Sequence, residues 1–328
     1  MNEENGSGMT MQGRLAKSVF QLLIIALFVV AIIYFMRRYS ADISSLRNLS
    51  WQSIAVIGAW SFVSYTTYAY AVYVVFIDLG LKNLGPIGWI KIYFVSRLVN
   101  LFVIQGGNLY RLIVLKKKYG FSYTNSIGVI AFLIWINALV ALLSSVVALG
   151  TFERSFILYG FSLYTWCVLL VVAAASVPLF AVLAARMLRA SSLESSRLVQ
   201  PILSIAEFFI ETVRKYSFFA KIAALSAAHF CFFVGVNYFT FSAIGQTLDL
   251  AVVCIFTTAF VFTRYINIVP GNLGVSELVG GLISEQMGVG FGNGLVVAGI
   301  VRMVEVLMIV LAGMIYGKFA VFEYFSNR

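Results

Sequence analysis

Long apolar runs alternate with short polar loops along the chain. Six runs are long enough to cross a bilayer, because a transmembrane helix needs about 20 mostly apolar residues. They lie at about 18–36, 52–79, 125–149, 158–185, 219–244 and 291–318. The pattern therefore predicts an all-α polytopic membrane protein in which 1–328 form a single transmembrane domain.

Two further apolar segments are interrupted by glycine and carry charged or amide residues. Residues 96–109 read SRLVNLFVIQGGNL, and residues 263–277 read TRYINIVPGNLGVSE. Both begin with the pattern Ser/Thr-Arg-x-x-Asn, where x is any residue, and both contain the string Gly-Asn-Leu. Interruptions at matching places in two halves of a chain are typical of a transporter's substrate site.

A shift of 167 residues carries the run 52–79 onto 219–246 and the run 125–149 onto 292–316. The chain is therefore predicted to contain internal repeats at about 52–149 and 219–316. If each broken segment is a re-entrant helical hairpin, there are six full spans and the repeats are inverted. If both segments cross the membrane, there are eight full spans with repeats of the same orientation.

The distribution of Lys and Arg bears on this choice. With the N-terminus inside, the re-entrant arrangement places 14 of these residues on the cytoplasmic side and four outside. This agrees with the excess of Lys and Arg that cytoplasmic loops of membrane proteins usually carry. The eight-span alternative, with the N-terminus outside, separates Lys and Arg between the two sides almost as well. We predict the inverted repeat, with the N- and C-termini cytoplasmic, and keep eight spans as the alternative.

Residues 186–217 form the longest polar segment between spans. Apolar residues fall near one face of a predicted helix there, namely Leu198, Ile202, Ile205, Phe208 and Phe209. The segment is predicted to be an amphipathic cytoplasmic helix or linker, either lying on the membrane surface or solvated.

Composition narrows the class of partner. The chain is 61% hydrophobic and 11% charged, with a net charge of +10. In a membrane protein such an excess indicates loops that face an anionic lipid surface, so nucleic acid is not a predicted partner.

His229 has no second His nearby, and Cys167, Cys231 and Cys254 lie in apolar runs. No metal or cofactor is predicted, and these four residues are interpreted as packing residues.

The aromatic half of the run 52–79 contains Tyr65, Tyr68, Tyr70 and Tyr73. Tyrosines near the end of a span usually mark the membrane interface, so no chemistry is assigned to them.

The broken segments carry the candidate chemistry. Guanidinium groups suit the geometry of phosphate, amides can bind headgroup oxygens or amines, and glycines let backbone N–H groups approach an anion. Glu277 could bind an amine or cap a helix. The same residues could instead form Arg–Glu pairs that hold a broken fold together, and Arg302 and Glu305 could neutralise each other. The predicted substrate-binding residues are Arg97, Asn100, Gly106, Gly107, Asn108, Arg111, Arg264, Asn267, Pro270, Gly271, Asn272, Gly274, Glu277, Arg302 and Glu305.

These motifs resemble a known family. The string PGNLGVSE at 270–277, followed by MGV at 287–289 and by Arg302, and the string GGNLYR at 106–111, followed by KYGFS at 118–122, are similar to the transmembrane, flippase-like domain of lysylphosphatidylglycerol synthases and their stand-alone relatives. The resemblance covers about residues 15–320. In three places the chain departs from the family pattern: Gln105 stands near a frequent Pro, Asn272 replaces a Gly, and 129–133 lack a frequent Glu-Arg pair.

The resemblance implies a transporter that moves a phosphate-bearing lipid between the leaflets of a bacterial inner membrane. The lipid would be a phospholipid, an aminoacyl-phospholipid or a polyprenyl-phosphate-linked lipid. No aminoacyl-transferase domain is present in the sequence, so lipid aminoacylation is not expected.

Two other functions stay open. One is a membrane-embedded enzyme acting on glycolipids or polyprenyl phosphates, and the other is an accessory protein of envelope lipid or glycan synthesis. The predicted external loops offer acidic residues only singly, at Asp42, Glu153 and Asp249, so the chain is expected not to be an enzyme. Candidate partners are the lipid substrate, envelope-synthesis enzymes and a second copy of the chain.

Overall fold

The computed structural model describes residues 49–81, 83–152, 156–158, 160–190, 196, 199–265, 272 and 274–326, with side chains described as far as Tyr316. This part of the chain forms ten α-helices and one two-stranded antiparallel hairpin. The helices are α1 Trp51–Asp78, α2 Pro86–Phe102, α3 Gly106–Tyr119, α4 Tyr123–Thr151, α5 Leu163–Ala190, α6 Val199–Arg214, α7 Tyr216–Ala243, α8 Leu250–Thr263, α9 Val275–Gln286 and α10 Phe291–Ser326, and the strands are β1 Ile157–Leu158 and β2 Phe161–Ser162.

The described helices confirm an all-helical polytopic membrane protein. Four of them, α4, α5, α7 and α10, are long and apolar enough to cross a membrane, and they match four of the six predicted spans. The predicted span 52–79 forms α1, which has 28 residues but carries serines and four tyrosines along its length. The predicted span 18–36 lies outside the described residues.

One predicted boundary was wrong. The run 158–185 was expected to be helical from its start, but the β1–β2 hairpin occupies 157–162 and α5 begins at Leu163. Gly160 makes the turn with φ +81°, a conformation that glycine adopts without steric cost.

Each broken segment forms a hairpin of two short helices. We call α2 and α3 the first hairpin and α8 and α9 the second hairpin. Helices α3, α8 and α9 have 14, 14 and 12 residues, so each is about 21 Å long or shorter at a rise of about 1.5 Å per residue. The hydrocarbon core is about 30 Å thick. These helices are therefore too short to cross it alone.

The two arms of the first hairpin approach very closely. A Cβ on Gly107 would lie 1.8 Å from the carbonyl oxygen of Ser96, and one on Gly88 would lie 3.7 Å from the Tyr119 hydroxyl. The start of α2 therefore lies beside the end of α3, and the chain turns back on itself. Only glycine fits at 107, because a side chain there would overlap backbone atoms.

Helices α1 and α7 pack antiparallel along their length. Lys215 Nζ lies 2.9 Å from Asp78 Oδ2 at one end, and Ser64 Oγ lies 3.0 Å from His229 Nδ1 further along. Beyond this pair, a Cβ on Gly235 would meet the Trp60 ring at 2.5 Å. Residue numbers thus rise along one helix as they fall along the other.

The long helices α4 and α10 each pack against the hairpin of the other half. Helix α4 packs on α8, where Ser145 Oγ and Thr258 Oγ1 are 2.7 Å apart. Helix α10 packs on α2, where a Cβ on Gly313 would lie 2.9 Å from Leu98 Cδ2. Residues 51–151 and 216–326 therefore share one order of elements, a long helix, a hairpin and a long helix, and each half packs around the other's hairpin.

The two halves differ at the second arm of the hairpin. Helix α9 packs tightly on α10, where a Cβ on Gly294 would lie 2.2 Å from Ser284 Oγ. Helix α3, in contrast, touches α4 only lightly. The first half is therefore the more open one.

Helix α6 packs against the bundle through part of its predicted apolar face. Phe209 lies 4.8 Å from Trp135 between ring centroids, and Phe208 occupies the space that a side chain at Gly128 would fill. Ile202 of that face is exposed, whereas Leu203 is buried, and Leu198 lies outside the described residues.

We expect Gly107→Ala to lower the free energy of unfolding by about 1–3 kcal/mol or more, because the added methyl group must displace backbone atoms of α2. Detergent-solubilised protein unfolded with SDS gives the measurement. Gly88→Ala, in the same hairpin but with 3.7 Å of clearance, is the control and should change stability by no more than about 0.5 kcal/mol. Equal stability of the two variants would contradict the close approach of the arms.

Candidate functional site

Arg97 lies near the end of α2 and is held by aromatic side chains. Its Nε and Nη2 each lie 3.3 Å from the Tyr93 hydroxyl. Its guanidinium carbon lies 5.4 Å from the centroid of the Tyr65 ring and 5.5 Å from that of Tyr93. Within the described part of the chain, no carboxylate forms an ion pair with Arg97.

Arg264 directly follows Thr263, the last residue of α8, and Arg97 directly follows Ser96 of α2. Ser96 and Thr263 each donate a hydrogen bond to the carbonyl oxygen three residues earlier, at 2.7 and 2.8 Å. The guanidinium carbon of Arg264 lies 4.0 Å from the Phe233 ring centroid and 5.7 Å from that of Tyr65. Unlike Arg97, it donates to the carboxylate of Glu305. The Tyr65 ring is thus shared by both arginines.

The tip of the first hairpin is built from amides. The backbone N–H of Gly107 donates to Asn100 Oδ1 at 2.7 Å, which satisfies one of the free N–H groups at the start of α3. Asn108 donates to Gln105 Oε1 and accepts from Arg111. The Arg111 Nε is buried and has no hydrogen-bond partner in the described structure.

Gln105 has φ 58°, in the left-handed region. Proline cannot adopt this conformation, because its ring holds φ near about −65°. A proline at position 105 would therefore require a different backbone conformation at this tip.

The second hairpin is closed by a different set of contacts. Asn272, with φ 59°, donates to the Thr263 carbonyl at 2.8 Å and to Ser276 Oγ at 3.2 Å. The Gly274 N–H donates to Glu277 Oε2 at 2.9 Å. Of the two roles considered for Glu277, capping of a helix is the one that this geometry shows. Asn267, Pro270 and Gly271 lie outside the described residues.

The two Gly-Asn-Leu strings do not occupy equivalent places. In the first hairpin the string lies inside α3, whereas in the second it precedes α9. The close contact of the arms joins Gly107 to Ser96 in one hairpin and Ser276 to Thr263 in the other. Position 107 therefore corresponds to position 276, and the match of the strings was misleading.

Helix α10 contributes two further charged residues of the predicted set. Arg302 Nε lies 3.0 Å from Glu277 Oε1, and Glu305 pairs with Arg264. Arg302 therefore pairs with the α9 arm of the second hairpin, and Glu305 pairs with the residue that follows α8. The Arg–Glu pairing considered from the sequence is present, but it joins α10 to the hairpin.

A cavity of about 240 Å³, which we call the main cavity, lies among α1, α2, α3, α4, α7 and α8. Its polar lining consists of Tyr65, Tyr68, Tyr93, Arg97, Asn100, Gln105, Asn108, Arg111, Ser126, Asn137, His229, Arg264 and Tyr265. The predicted residues Arg97, Asn100, Asn108, Arg111 and Arg264 therefore meet at one hollow.

A minor cavity of about 110 Å³ lies against the main one. Five residues line both, namely Tyr65, Arg97, Asn100, Gln105 and Arg264. The predicted residues Asn272, Arg302 and Glu305 line only the minor cavity. Gly106, Gly107, Gly274 and Glu277 line neither and shape the hairpin tips instead.

The main cavity has an excess of positive charge. Three arginines line it, and no Asp or Glu of the described chain does. Glu305 neutralises Arg264, but Arg97 and Arg111 form no ion pair in this part of the structure. Removing unpaired cations from water costs several kcal/mol each. An anion bound between them would offset that cost.

Sequence reasoning missed several lining residues. Assigning Tyr65 and Tyr68 to an interfacial belt was wrong, because Tyr65 is 5% exposed and both face the main cavity, whereas Tyr70 is exposed. Ser61 and Ser64 lie one turn before them on α1, so a polar stripe was visible in the sequence. His229 packs between helices as expected but also lines the cavity. In the described structure no three His, Cys, Asp or Glu side chains are grouped as a metal site requires.

Comparison with known proteins gives one match. A family model described as the lysylphosphatidylglycerol synthase TM region matches residues 82–313, which include both hairpins and α4 to α9. No curated protein and no solved structure matches the chain.

We expect Glu305→Gln to lower the free energy of unfolding by about 2–4 kcal/mol, because it leaves Arg264 without its carboxylate in a partly buried site. The double variant Arg264→Gln/Glu305→Gln should lose less than the sum of the two single variants. SDS unfolding of all three variants measures the coupling. Asp78→Asn breaks the exposed pair with Lys215 and should cost no more than about 1 kcal/mol. Additive losses at Arg264 and Glu305 would show that the pair contributes nothing.

Proposed function

The chain belongs to the family of the lysylphosphatidylglycerol synthase TM region, and from that premise we propose that it moves a phosphate-bearing lipid between the leaflets of its membrane. The observation that carries the proposal is that Arg97 and Arg111, which form no ion pair in the described structure, both line the main cavity. A phosphate that leaves the membrane surface loses its hydration, so a carrier must replace water with other donors.

The two arginines supply such donors at one cavity. A guanidinium binds phosphate oxygens through paired N–H groups, and such charged bonds are about twice as strong as neutral ones. Arg97 donates to the Tyr93 hydroxyl through Nε and Nη2, so its remaining N–H groups would bind the phosphate, and the Arg111 Nε has no hydrogen-bond partner in the described structure. Asn100 and Asn108 add amides at the same wall. The phosphate would therefore lie between α2 and α3.

The acyl chains need an apolar route beside the headgroup. Leu112, Ile130, Leu133 and Ile134 line the side of the main cavity between α3 and α4. These helices touch only lightly, and Ile134 is 37% exposed. We infer that the headgroup enters between α3 and α4 while the acyl chains stay in the surrounding lipid.

Alternating access would follow from an inverted repeat, with the first and second hairpins re-entering from opposite faces. The antiparallel packing of α1 on α7 and the exchanged contacts of α4 with α8 and α10 with α2 support this arrangement. Rocking of one half against the other would open the cavity to each leaflet in turn. We place the protein in a bacterial inner membrane with both termini cytoplasmic, as the distribution of Lys and Arg favours.

We propose no chemical step for this site. General acid–base catalysis needs a group that can exchange a proton near the bond that breaks. The described lining of the main cavity offers arginines, amides and hydroxyls, with His229 hydrogen-bonded to Ser64. Binding and translocation are the activities that these side chains support.

We expect Arg97→Gln and Arg111→Gln each to slow lipid translocation by about 10-fold or more, because each removes a charged hydrogen bond to phosphate worth about 1.5–3 kcal/mol. The rate is measured in liposomes with an acyl-labelled phosphatidylglycerol whose outer-leaflet fluorescence is quenched chemically. Arg214→Gln removes an exposed arginine of α6 that lies outside both cavities, so it should keep the original rate. Unchanged translocation by both cavity variants would remove these arginines from the mechanism.

A further inference from the structure

The carboxylates near the candidate site are already engaged. On α9 and the described side chains of α10, Glu277 pairs with Arg302, Glu305 pairs with Arg264, and Glu285 accepts a hydrogen bond from the backbone N–H of Phe291. None of these carboxylates lines the main cavity. The segment 266–271 and Leu273, which adjoin the site in the chain, contain no Asp or Glu. A cationic ligand would therefore find no free carboxylate among the described residues of this cavity.

Aromatic rings are the second way in which proteins hold a cation, and here the chain's own arginines are beside them. Arg97 lies over the rings of Tyr65 and Tyr93, and Arg264 lies over those of Tyr65 and Phe233. A ligand ammonium group at these rings would approach a guanidinium of the same charge. Like charges at such distances repel strongly where little water screens them.

Neutral hydrogen-bonding groups, in contrast, are abundant in the main cavity. Asn100, Gln105, Asn108, Ser126 and Asn137 line it, and the tyrosine hydroxyls add further donors and acceptors. Amides and hydroxyls both donate and accept, so they match the hydroxyl groups of a glycerol or a sugar.

We propose that the ligand is a lipid whose headgroup is net anionic, a phosphodiester carrying an uncharged, hydroxylated substituent, and that a lysyl-esterified headgroup is selected against. The inference deepens the proposed function and rests on it for the location of the site. The phosphate lies at Arg97 and Arg111, and the hydroxylated substituent contacts the amides. The two ammonium groups of a lysyl ester would lie among three arginines with no carboxylate partner.

Binding of two matched lipids tests the selectivity directly. The purified full chain is titrated with phosphatidylglycerol and with lysyl-phosphatidylglycerol of the same acyl chains, and binding is read by native mass spectrometry. We expect phosphatidylglycerol to bind at least about 10-fold more tightly, which corresponds to about 1.4 kcal/mol. Equal binding, tighter binding of the lysyl ester, or no binding of either lipid overturns the proposal.

Two variants show whether the cavity is the cause of the selectivity. Arg111→Gln should reduce the preference several-fold by removing one unpaired cation, whereas Arg214→Gln, outside the cavity, should leave it unchanged. Asn137→Asp places a carboxylate in the cavity and should raise the relative affinity for the lysyl ester. A thermal unfolding profile of each variant confirms that it is folded. If Arg214→Gln lowers the preference as much as Arg111→Gln does, the selectivity arises at the protein surface and the proposal fails.

Translocation of the same two lipids in liposomes separates this inference from the proposed function. Selective binding of phosphatidylglycerol without its translocation would contradict transport but leave the specificity standing. Translocation of the lysyl ester at the rate of phosphatidylglycerol would support transport and overturn the specificity.

Discussion

The contact between Arg97 and its two tyrosines is the constraint on which the rest of the structure depends. A guanidinium within a bilayer must be neutralised, hydrated or held against polarisable groups. Here Tyr65 and Tyr93 hold it, and the described structure supplies no carboxylate. Tyr65 comes from α1 and Tyr93 from α2, so the arginine can keep its place only while the hairpin packs on the long helix. The same side chain therefore lines the main cavity and connects the first hairpin to α1.

The two hairpins use similar sequences for different purposes. In the second hairpin, Arg264 and Glu277 pair with residues of α10, Asn272 braces the tip, and α9 packs tightly on α10. In the first hairpin, Arg111 has no such ion pair in the described structure and α3 touches α4 only lightly. The described charges of the second hairpin are therefore neutralised by α10, whereas Arg97 and Arg111 of the first hairpin form no ion pair in the described structure.

Hydropathy was sufficient to predict the helical membrane fold, and the chemistry of guanidinium groups selected Arg97 and Arg264 for one site. Both residues do line the same cavities. Tyr65 was missed because its environment depends on a partner helix that is distant in the chain. Arg–Glu pairing was considered from the sequence, but the pairing of Arg302 with Glu277 and of Glu305 with Arg264 was not assigned, because these partners are distant in the chain. The Gly-Asn-Leu match failed because the short strings fix no helix register.

Determination of the structure in a lipid nanodisc containing phosphatidylglycerol tests the central claim most directly. Cryo-electron microscopy of the full chain should show a phosphate between the guanidinium groups of Arg97 and Arg111, with acyl chains leaving between α3 and α4. An ion pair from any carboxylate of the chain to both arginines, in a main cavity without lipid, would contradict the claim. The positive charge would then be part of the fold rather than a site for an anion.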